Sequence, residues 1–502
     1  MREILTNKRF IFVGGLEVIE RLAWYSFYFT VAYYFINTLG FSEKESMLLK
    51  GAVGAMLYAG NAVGGLIADR LLGVRRTLFI AIASLAIGYC LVGSFAGNLS
   101  MVIIGMAFVT IGGFLFKPQP LSLLVSIYKD PSQRDSAVTL YYQFVNIGSL
   151  IAATFAPVLI KFFGYFVAYG LVGISMIAGG IIIFINRKIY GEFDNHLGVA
   201  KLPAGNLKKF VGIFLVLFAF LTFVFTNPTL SFVLLLVCAG LLVLYFVYQA
   251  NKIEEIHLRH RALSVLPMIF LGVVFFVMYE QMDSSALLFT LHHSNTTLFG
   301  YEMDSQSVSG TLNSAGIIIL APLMAVFYNS KIGQKLTVQH KFVIGLLMST
   351  VMVATLWLAT FSVDPSEKIS IYWLVFSITI LFSGGELLVS ALGAAALSAL
   401  VPERMRGFAI GLWFLSSALG IKLGAWLSSL VAHGENLGGV VALTGQNKIN
   451  SFLAYQQLYG WLFVGCLVTT LIGAAIAFKV ARVVKESERY ATNTNSIVME
   501  IK

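Results

Sequence analysis

Three ionisable side chains, Glu17, Glu20 and Arg21, stand within five residues of one another in a stretch (10–35) that otherwise holds no ionisable acid or base except tyrosine. The stretch is long and apolar enough to be a membrane helix. A charge at the centre of such a helix costs roughly 2.5–3.5 kcal/mol on insertion scales, so three together need a function. Spacings of three and four put all of them on one helical face, within mutual reach. Two acids and one base on such a face can hold a proton or bind a charged group.

Further charges lie inside apolar runs. Lys117 precedes Pro118 deep in its run, roughly 13 Å of helix from the run's end at 1.5 Å per residue, beyond a lysine's reach to the surface. The proline frees a backbone carbonyl and bends the helix, opening room for solute. Glu280, Asp283 and Glu386 have no basic neighbour in sequence. A carboxyl without a counter-charge in an apolar medium favours its neutral form and so can carry a proton. For Glu386 a structural hydrogen bond to a neighbouring helix is the other reading. Asp283 and Lys422 are expected to pair with each other. At the end of the second run, Asp69, Arg70, Arg75 and Arg76 form a charged turn, expected to clamp neighbouring helix ends in one conformation.

The elements that position these groups are membrane helices. The chain has 502 residues, 58% hydrophobic and 12% charged, with mean hydropathy +0.84. Soluble domains carry about 25% charged residues. Fourteen apolar runs of about twenty residues are expected between residues 9 and 482, separated by short turns. The expected division is a six-helix bundle over 1–190, linkers and an inserted hairpin over 191–263 (the hairpin itself at 209–250), a second six-helix bundle over 264–485, and a disordered cytoplasmic tail over 486–502. Of the 34 Lys and Arg, only Lys44, Lys50, Lys161, Lys368 and Lys448 are assigned to outer loops, and Arg21, Lys117 and Lys422 to helices. The rest fall on one side, which places both termini in the cytoplasm. The net charge of +10 is thereby explained by orientation in a bilayer and calls for no nucleic acid.

Enzyme chemistry finds no footing. Cys90, Cys238 and Cys466 are far apart and lack metal-site spacing, and adjacent His292 and His293 face different sides of a helix. No Walker, Rossmann or nucleophile motif occurs in an inside loop. No metal and no cofactor beyond a proton gradient is expected.

Gly65-Leu-Ile-Ala-Asp69-Arg70-Leu-Leu-Gly-Val-Arg75-Arg76 resembles the signature of the major facilitator superfamily at its second-to-third helix loop. Glu17-x-x-Glu20-Arg21 followed by Trp24-Tyr25 resembles the ExxERFxYYG motif of the proton-coupled oligopeptide transporter (POT/PTR2) family. Phe116-Lys117-Pro118, the segment Tyr142–Leu150, Glu280-Gln281, Leu312-Asn313, Gly385-Glu386-Leu387 with Ser390, and Trp413-Phe-Leu-Ser-Ser resemble further motifs of that family, in order. The likeness covers twelve core spans, and the additional hairpin is similar to that of prokaryotic members.

The resemblance implies an all-α major facilitator fold of two six-helix bundles and a proton-driven importer of di- and tripeptides in the bacterial inner membrane; a monomer is expected. It implies proton coupling by Glu17, Glu20, Arg21, Lys117 and Glu280, with Lys117 partnering a first-helix glutamate. It implies a pocket lined by Tyr25, Tyr28, Tyr58, Lys117 and Asn146 on one side and Asn313, Glu386, Ser390 and Trp413 on the other. Glu386 would receive a peptide's ammonium group, and Lys117 or Arg21 its carboxylate. The chain departs from the pattern at Tyr28, where the family usually has arginine, at Gln119, at Phe276 (tryptophan is common) and at Ser314 and Ala391. Tyr28 in place of a carboxylate-binding cation keeps open a second cargo, another small solute such as an amino-acid derivative or organic anion.

Overall fold

The computed structural model describes residues 4, 6–128, 131–187, 201–331, 333–432 and 443–500. Among these residues twelve helices are long and apolar enough to cross a membrane. The protein is a multi-pass helical membrane protein. Its only sheet among the described residues is the two-stranded turn Thr297–Leu298 with Tyr301–Glu302.

In the first half, α1 (Lys8–Leu39) is followed by α2 (Glu43–Ile67), which ends in a π-turn over Ala68–Leu72, then α3 (Val74–Ser94), α4 (Leu99–Phe116), α5 (Pro118–Ile127) and α6 (Pro131–Ile185). Two helices follow, α7 (Ala204–Thr226) and α8 (Pro228–Asn251), then the short α9 (Ile256–Leu263). The second half contains α10 (Val265–Asp283), α11 (Ser285–His293), α12 (Ser305–Asn329), α13 (Val338–Ala359), α14 (Ile371–Leu374) continuing through a π-helical stretch Val375–Phe382 into α15 (Ser383–Ala399), then α16 (Arg406–Ser429) and α17 (Gly445–Glu500).

Local chemistry sets the helix ends. Asn7, Asn98, Asp304 and Thr337 each accept a hydrogen bond from a backbone N–H of the first turn they cap, and Ser42 with Glu45 closes a reciprocal capping box. Gly40 ends α1 in the left-handed conformation (φ 72°). The long α6 breaks at Gly164 (φ 75°), where the sequence separates two spans. Pro118 divides α4 from α5 next to Lys117, as the expected bend requires.

Within the first half α1 packs on α6, and α3 on α4 and α6; within the second, α10 packs on α16, and α13 on α15 and α17. The halves meet chiefly where α2 lies along α16 and α6 against α12. Close approach depends on small residues. A Cβ on Gly148 of α6 would stand 2.7 Å from the Val18 carbonyl oxygen and 2.8 Å from the Arg21 Cβ. The α7–α8 pair is apolar and mostly uncovered, packing on α4, α2 and α16.

Two expectations are corrected. Lys50 is not a loop residue but lies inside α2, only 1% exposed. The tail expected to be disordered from 486 is helical to Glu500, because no glycine or proline after Gly473 stops α17. Most of the inside linker (188–200) and part of the longest outer loop (433–442) lie outside the described residues, as do 501–502.

Candidate functional site

The charged trio of α1 is drawn together as its spacing requires. Arg21 forms ion pairs with both Glu20 and Glu17, the latter at 3.3 Å, and all three side chains are buried. Each glutamate keeps one carboxylate oxygen without a hydrogen-bond partner, Oε2 of Glu17 and Oε1 of Glu20. The Tyr141 hydroxyl of α6 is bonded to Glu17, a partner the sequence did not single out. Gly148, about two helical turns further along α6, lets that helix approach the trio closely.

Lys117 sits at the α4–α5 break with its ammonium 3.7 Å from the Tyr58 ring centroid. Glu17, Glu20 and Arg21 are its charged neighbours. The Arg21 guanidinium lies 5.9 Å from the Tyr25 ring centroid. Tyr25 and Tyr58 thus each flank a cation of the first half. Both also lie within electrostatic reach of Glu386 in the second half. Glu386, 5% exposed, accepts hydrogen bonds from Asn313 Nδ2 (3.0 Å) and, across the interface, from the Tyr142 hydroxyl (3.2 Å). The π-helical stretch before α15 and the Ser383 hydroxyl, which donates to the Asn313 carbonyl, hold that arrangement. Asn146 donates to the Tyr142 carbonyl at 2.8 Å. Ser390 is half-buried one turn beyond Glu386.

Tyr28 is stacked on Trp24, with centroids 5.0 Å apart, and its hydroxyl donates to Glu280 Oε2 at 3.1 Å. Lys50 lies over the same ring, 4.6 Å from its centroid, and its ammonium donates to the backbone carbonyl of Asp283. The expected Asp283–Lys422 pair does not form. The Lys422 ammonium donates instead to the Leu48 carbonyl at 2.9 Å, because α16 lies along α2 and presents that carbonyl first. Trp413 is packed inside the second half against Phe276 and Phe342, filling notches at Gly272 and Gly393. Asp69 and Arg70 are exposed on the π-turn that joins α2 to α3, with Arg75 and Arg76 in the first turn of α3.

Between the halves is a cavity of about 10 Å³ lined by Trp24, Tyr25, Tyr28, Tyr58, Tyr279, Asp283 and Ile421. That is space for roughly one water molecule. A solute of several heavy atoms enters only if the halves separate. The larger groove of about 350 Å³, lined by His260 and Lys479 among apolar residues, is remote from this chemistry. Bonds joining the halves gather toward the end of the bundle that carries Gly40: His292 Nε2 to Glu43 Oε1 (2.6 Å), Lys50 to Asp283, Lys422 to Leu48 and Tyr28 to Glu280. Nearer the middle, Ser314 donates to Ser149 (2.8 Å). Among the described residues no group of three or more His, Cys, Asp or Glu is placed to hold a metal ion.

Comparison with known proteins agrees in sequence and in fold. The profile of the PTR2 (POT) family matches residues 75–446. The chain is 32% identical over 470 residues to dipeptide and tripeptide permease A of Erwinia pyrifoliae, covering 93% of this chain and 92% of that one. To dipeptide and tripeptide permease B of Edwardsiella piscicida it is 28% identical over 473 residues, covering 93% and 94%. The crystal structure of tetrameric PepTSo2 superposes with a TM-score of 0.81 at 23% identity, covering 94% of this chain and 98% of that one. At that identity the likeness speaks for the fold.

Proposed function

The chain belongs to the POT family, and we propose that it is a proton-driven symporter importing di- and tripeptides by alternating access. Relatives across most of its length are named as dipeptide and tripeptide permeases, which favours peptides over the other small solutes that Tyr28 keeps open. The observation that carries the reading is a pair of oppositely charged poles on either side of the closed interface. Arg21 and Lys117 stand at one side, Glu386 at the other, and Tyr25 and Tyr58 are neighbours of both. A small peptide with free ends is a dipole of that kind, its carboxylate meeting the cations and its ammonium meeting Glu386. Tyr25, Tyr58, Asn146, Asn313 and Ser390 line the path between them. Trp413 serves by holding the second-half core behind it.

Fourteen spans follow from the twelve if α6 is divided at Gly164 and α1 is added. The charged trio and Tyr25, Tyr28, Tyr33 and Tyr34 lower the hydropathy of α1, but its 32 residues are enough to cross a bilayer. Two bundles of six then flank the α7–α8 hairpin, with both termini in the cytoplasm of a bacterial inner membrane. In that orientation the Gly40 end faces outward and the described conformation is closed to the outside. Asp69, Arg70, Arg75 and Arg76 sit at the cytoplasmic end, where they clamp α2 to α3.

Protons enter through carboxylates that share one cation. Protonating Glu17 or Glu20 weakens its hold on Arg21, frees that guanidinium for a peptide carboxylate, and shifts the balance between conformations. The drive is the proton gradient, and one chain carries the whole chamber. The deciding experiment is uptake of labelled Ala-Ala into proteoliposomes under an imposed inward proton gradient, with unlabelled peptides as competitors. Gradient-dependent accumulation that di- and tripeptides suppress is the expected result; uptake indifferent to the gradient or to peptides would sink the proposal.

A further inference from the structure

The groove of about 350 Å³ in the second half takes no part in the site between the halves. It lies where α9 and the start of α10 pack against α17. Helix α10 runs from there to Asp283, so about 27 Å of helix at 1.5 Å per residue separates the groove from the Gly40 end. Two cations line it, His260 of α9 and Lys479 of α17, and both are exposed. Among the described residues neither side chain has a hydrogen-bond or ion-pair partner. The Ser264 hydroxyl is already used, donating to the His260 carbonyl at 3.0 Å. The remaining walls are apolar: Leu263, Pro267, Ile476, Val480 and Val483. No acid lines the groove, and Glu486 stands about two turns of α17 beyond Lys479. The walls run antiparallel, since α17 starts at the Gly40 end, where Ser451 meets His293, and α10 finishes there. His260 and Val483 are therefore at the mouth, and Pro267 and Ile476 lie about 10 Å deeper along the helices. Phe270, one turn past Pro267, and Phe478, next to Lys479, are 53% and 65% exposed, so the groove opens on the face that meets hydrocarbon.

We propose that this groove binds one anionic phospholipid of the cytoplasmic leaflet, of the phosphatidylglycerol class, with its phosphate held by His260 and Lys479. The arrangement follows the order of groups in such a lipid. Charge and N–H donors stand at the mouth: an ammonium supplies both, and an imidazole donates an N–H in either protonation state. Apolar walls continue inward for about the depth of the boundary between headgroups and acyl chains. Basic pockets between membrane helices on the cytoplasmic side suit anionic headgroups for this reason. The Lys479 stem lies along the apolar wall while its ammonium reaches up to the phosphate. A free phosphate would satisfy the cations and leave the walls bare, whereas glycerol and the first methylene groups of an acyl chain cover them. A zwitterionic lipid brings its own cation and gains less from Lys479. The bound lipid joins α9 and α10 to α17, and so links the first and last spans of the second half. This site goes beyond the transport reading, and only the choice of leaflet rests on the proposed orientation.

The test titrates the full-length protein, purified in a non-ionic detergent, with phosphatidylglycerol or with phosphatidylcholine of the same acyl chains. Native mass spectrometry reads the lipid retained. Phosphatidylglycerol is retained about fivefold more tightly, the value of one surface cation acting on one anionic lipid. His260→Gln with Lys479→Gln brings that preference below about twofold, while the Tm in lipid-free detergent stays unchanged because both side chains are exposed. Lys479→Arg keeps the preference. Arg404→Gln, which removes an exposed cation at the same end but outside the groove, also keeps it. Glycerol 3-phosphate, which has the phosphate and no acyl chain, does not displace the lipid. Equal retention of the two lipids, a preference that survives loss of both lining cations, an equal loss from Arg404→Gln, or displacement by glycerol 3-phosphate would each overturn the site. No uptake is measured, so a chain that binds phosphatidylglycerol but fails to accumulate dipeptides would refute the cargo and leave the lipid site standing.

Discussion

Glu386→Gln separates recognition of the peptide's amino end from everything else the chamber does. The carboxylate accepts from Asn313 Nδ2 at 3.0 Å and from the Tyr142 hydroxyl at 3.2 Å. A glutamine has the same length, and its carbonyl oxygen can accept one or both of these bonds, so the local packing survives. What disappears is the charge. Hydrogen bonds to charged groups contribute about 1.5–3 kcal/mol, and every 1.4 kcal/mol is a factor of ten in affinity. Loss of the ammonium–carboxylate contact therefore weakens Ala-Ala binding by about 12- to 140-fold. The control is in the substrate. N-acetyl-Ala-Ala carries no ammonium group, so its already weak binding changes by less than about threefold in the variant, within the net value of a neutral hydrogen bond. Competition against a fluorescent dipeptide in detergent, run at one pH for both proteins, measures all four affinities. Equal losses for the free and the acetylated peptide would refute the assignment of Glu386 to the amino end, since the damage would then be structural. No loss for either would place the ammonium elsewhere.

Glu20→Gln removes one of the two carboxylates that share Arg21; it abolishes gradient-driven uptake and spares counterflow exchange, and equal loss of both would contradict a coupling role. Gly148→Ala pushes a methyl toward the Val18 carbonyl and the Arg21 Cβ, an overpacking that costs about 1–3 kcal/mol; a thermal melt in detergent reads it as a lowered Tm, and an unchanged Tm would mean that α6 does not press on the trio. Tyr28→Phe deletes the hydroxyl that donates to Glu280 while keeping the stacking on Trp24, so it shifts the pH profile of uptake with little change in Tm; an unaltered profile would separate Tyr28 from proton handling.

The parts of the site that could be read from sequence share one property: their partners are near in the chain, or their type is costly in a membrane. Glu17, Glu20 and Arg21 satisfy both conditions, and their pairing follows from helical spacing alone. Glu280 and Glu386 stood out by cost, but their partners come from α1, α6 and α12 and are tyrosines and an asparagine, which cost little and attract no notice. Lys50 was misplaced because it lies seven residues into a helix that opens with Glu43, Lys44 and Glu45, so it reads as the edge of a polar loop. Burial of that edge is decided by α16, more than 370 residues further on. The assumed Asp283–Lys422 pair failed for a related reason: matching charges in sequence does not reveal backbone carbonyls, and both lysines chose carbonyls. The bend at Pro118 was legible, since a proline acts locally.

The two charged clusters differ in where their bonds run, and that difference sorts their tasks. The trio of α1 is bonded within the first half, to itself and to Tyr141 of α6, so a proton there alters contacts inside that half. Among the described residues it has no direct bond to the second half, so it biases the halves only through Arg21 and what Arg21 holds. The cluster around Glu280 is bonded across the interface in both directions and through Tyr28, so it fastens one half to the other. Between them lie Tyr25 and Tyr58, within electrostatic reach of both Arg21 and Glu386. On the proposed reading, a peptide that joins those two poles ties the halves together at the middle. Coupling of this kind needs no direct contact between proton and peptide, only that each biases the same interface.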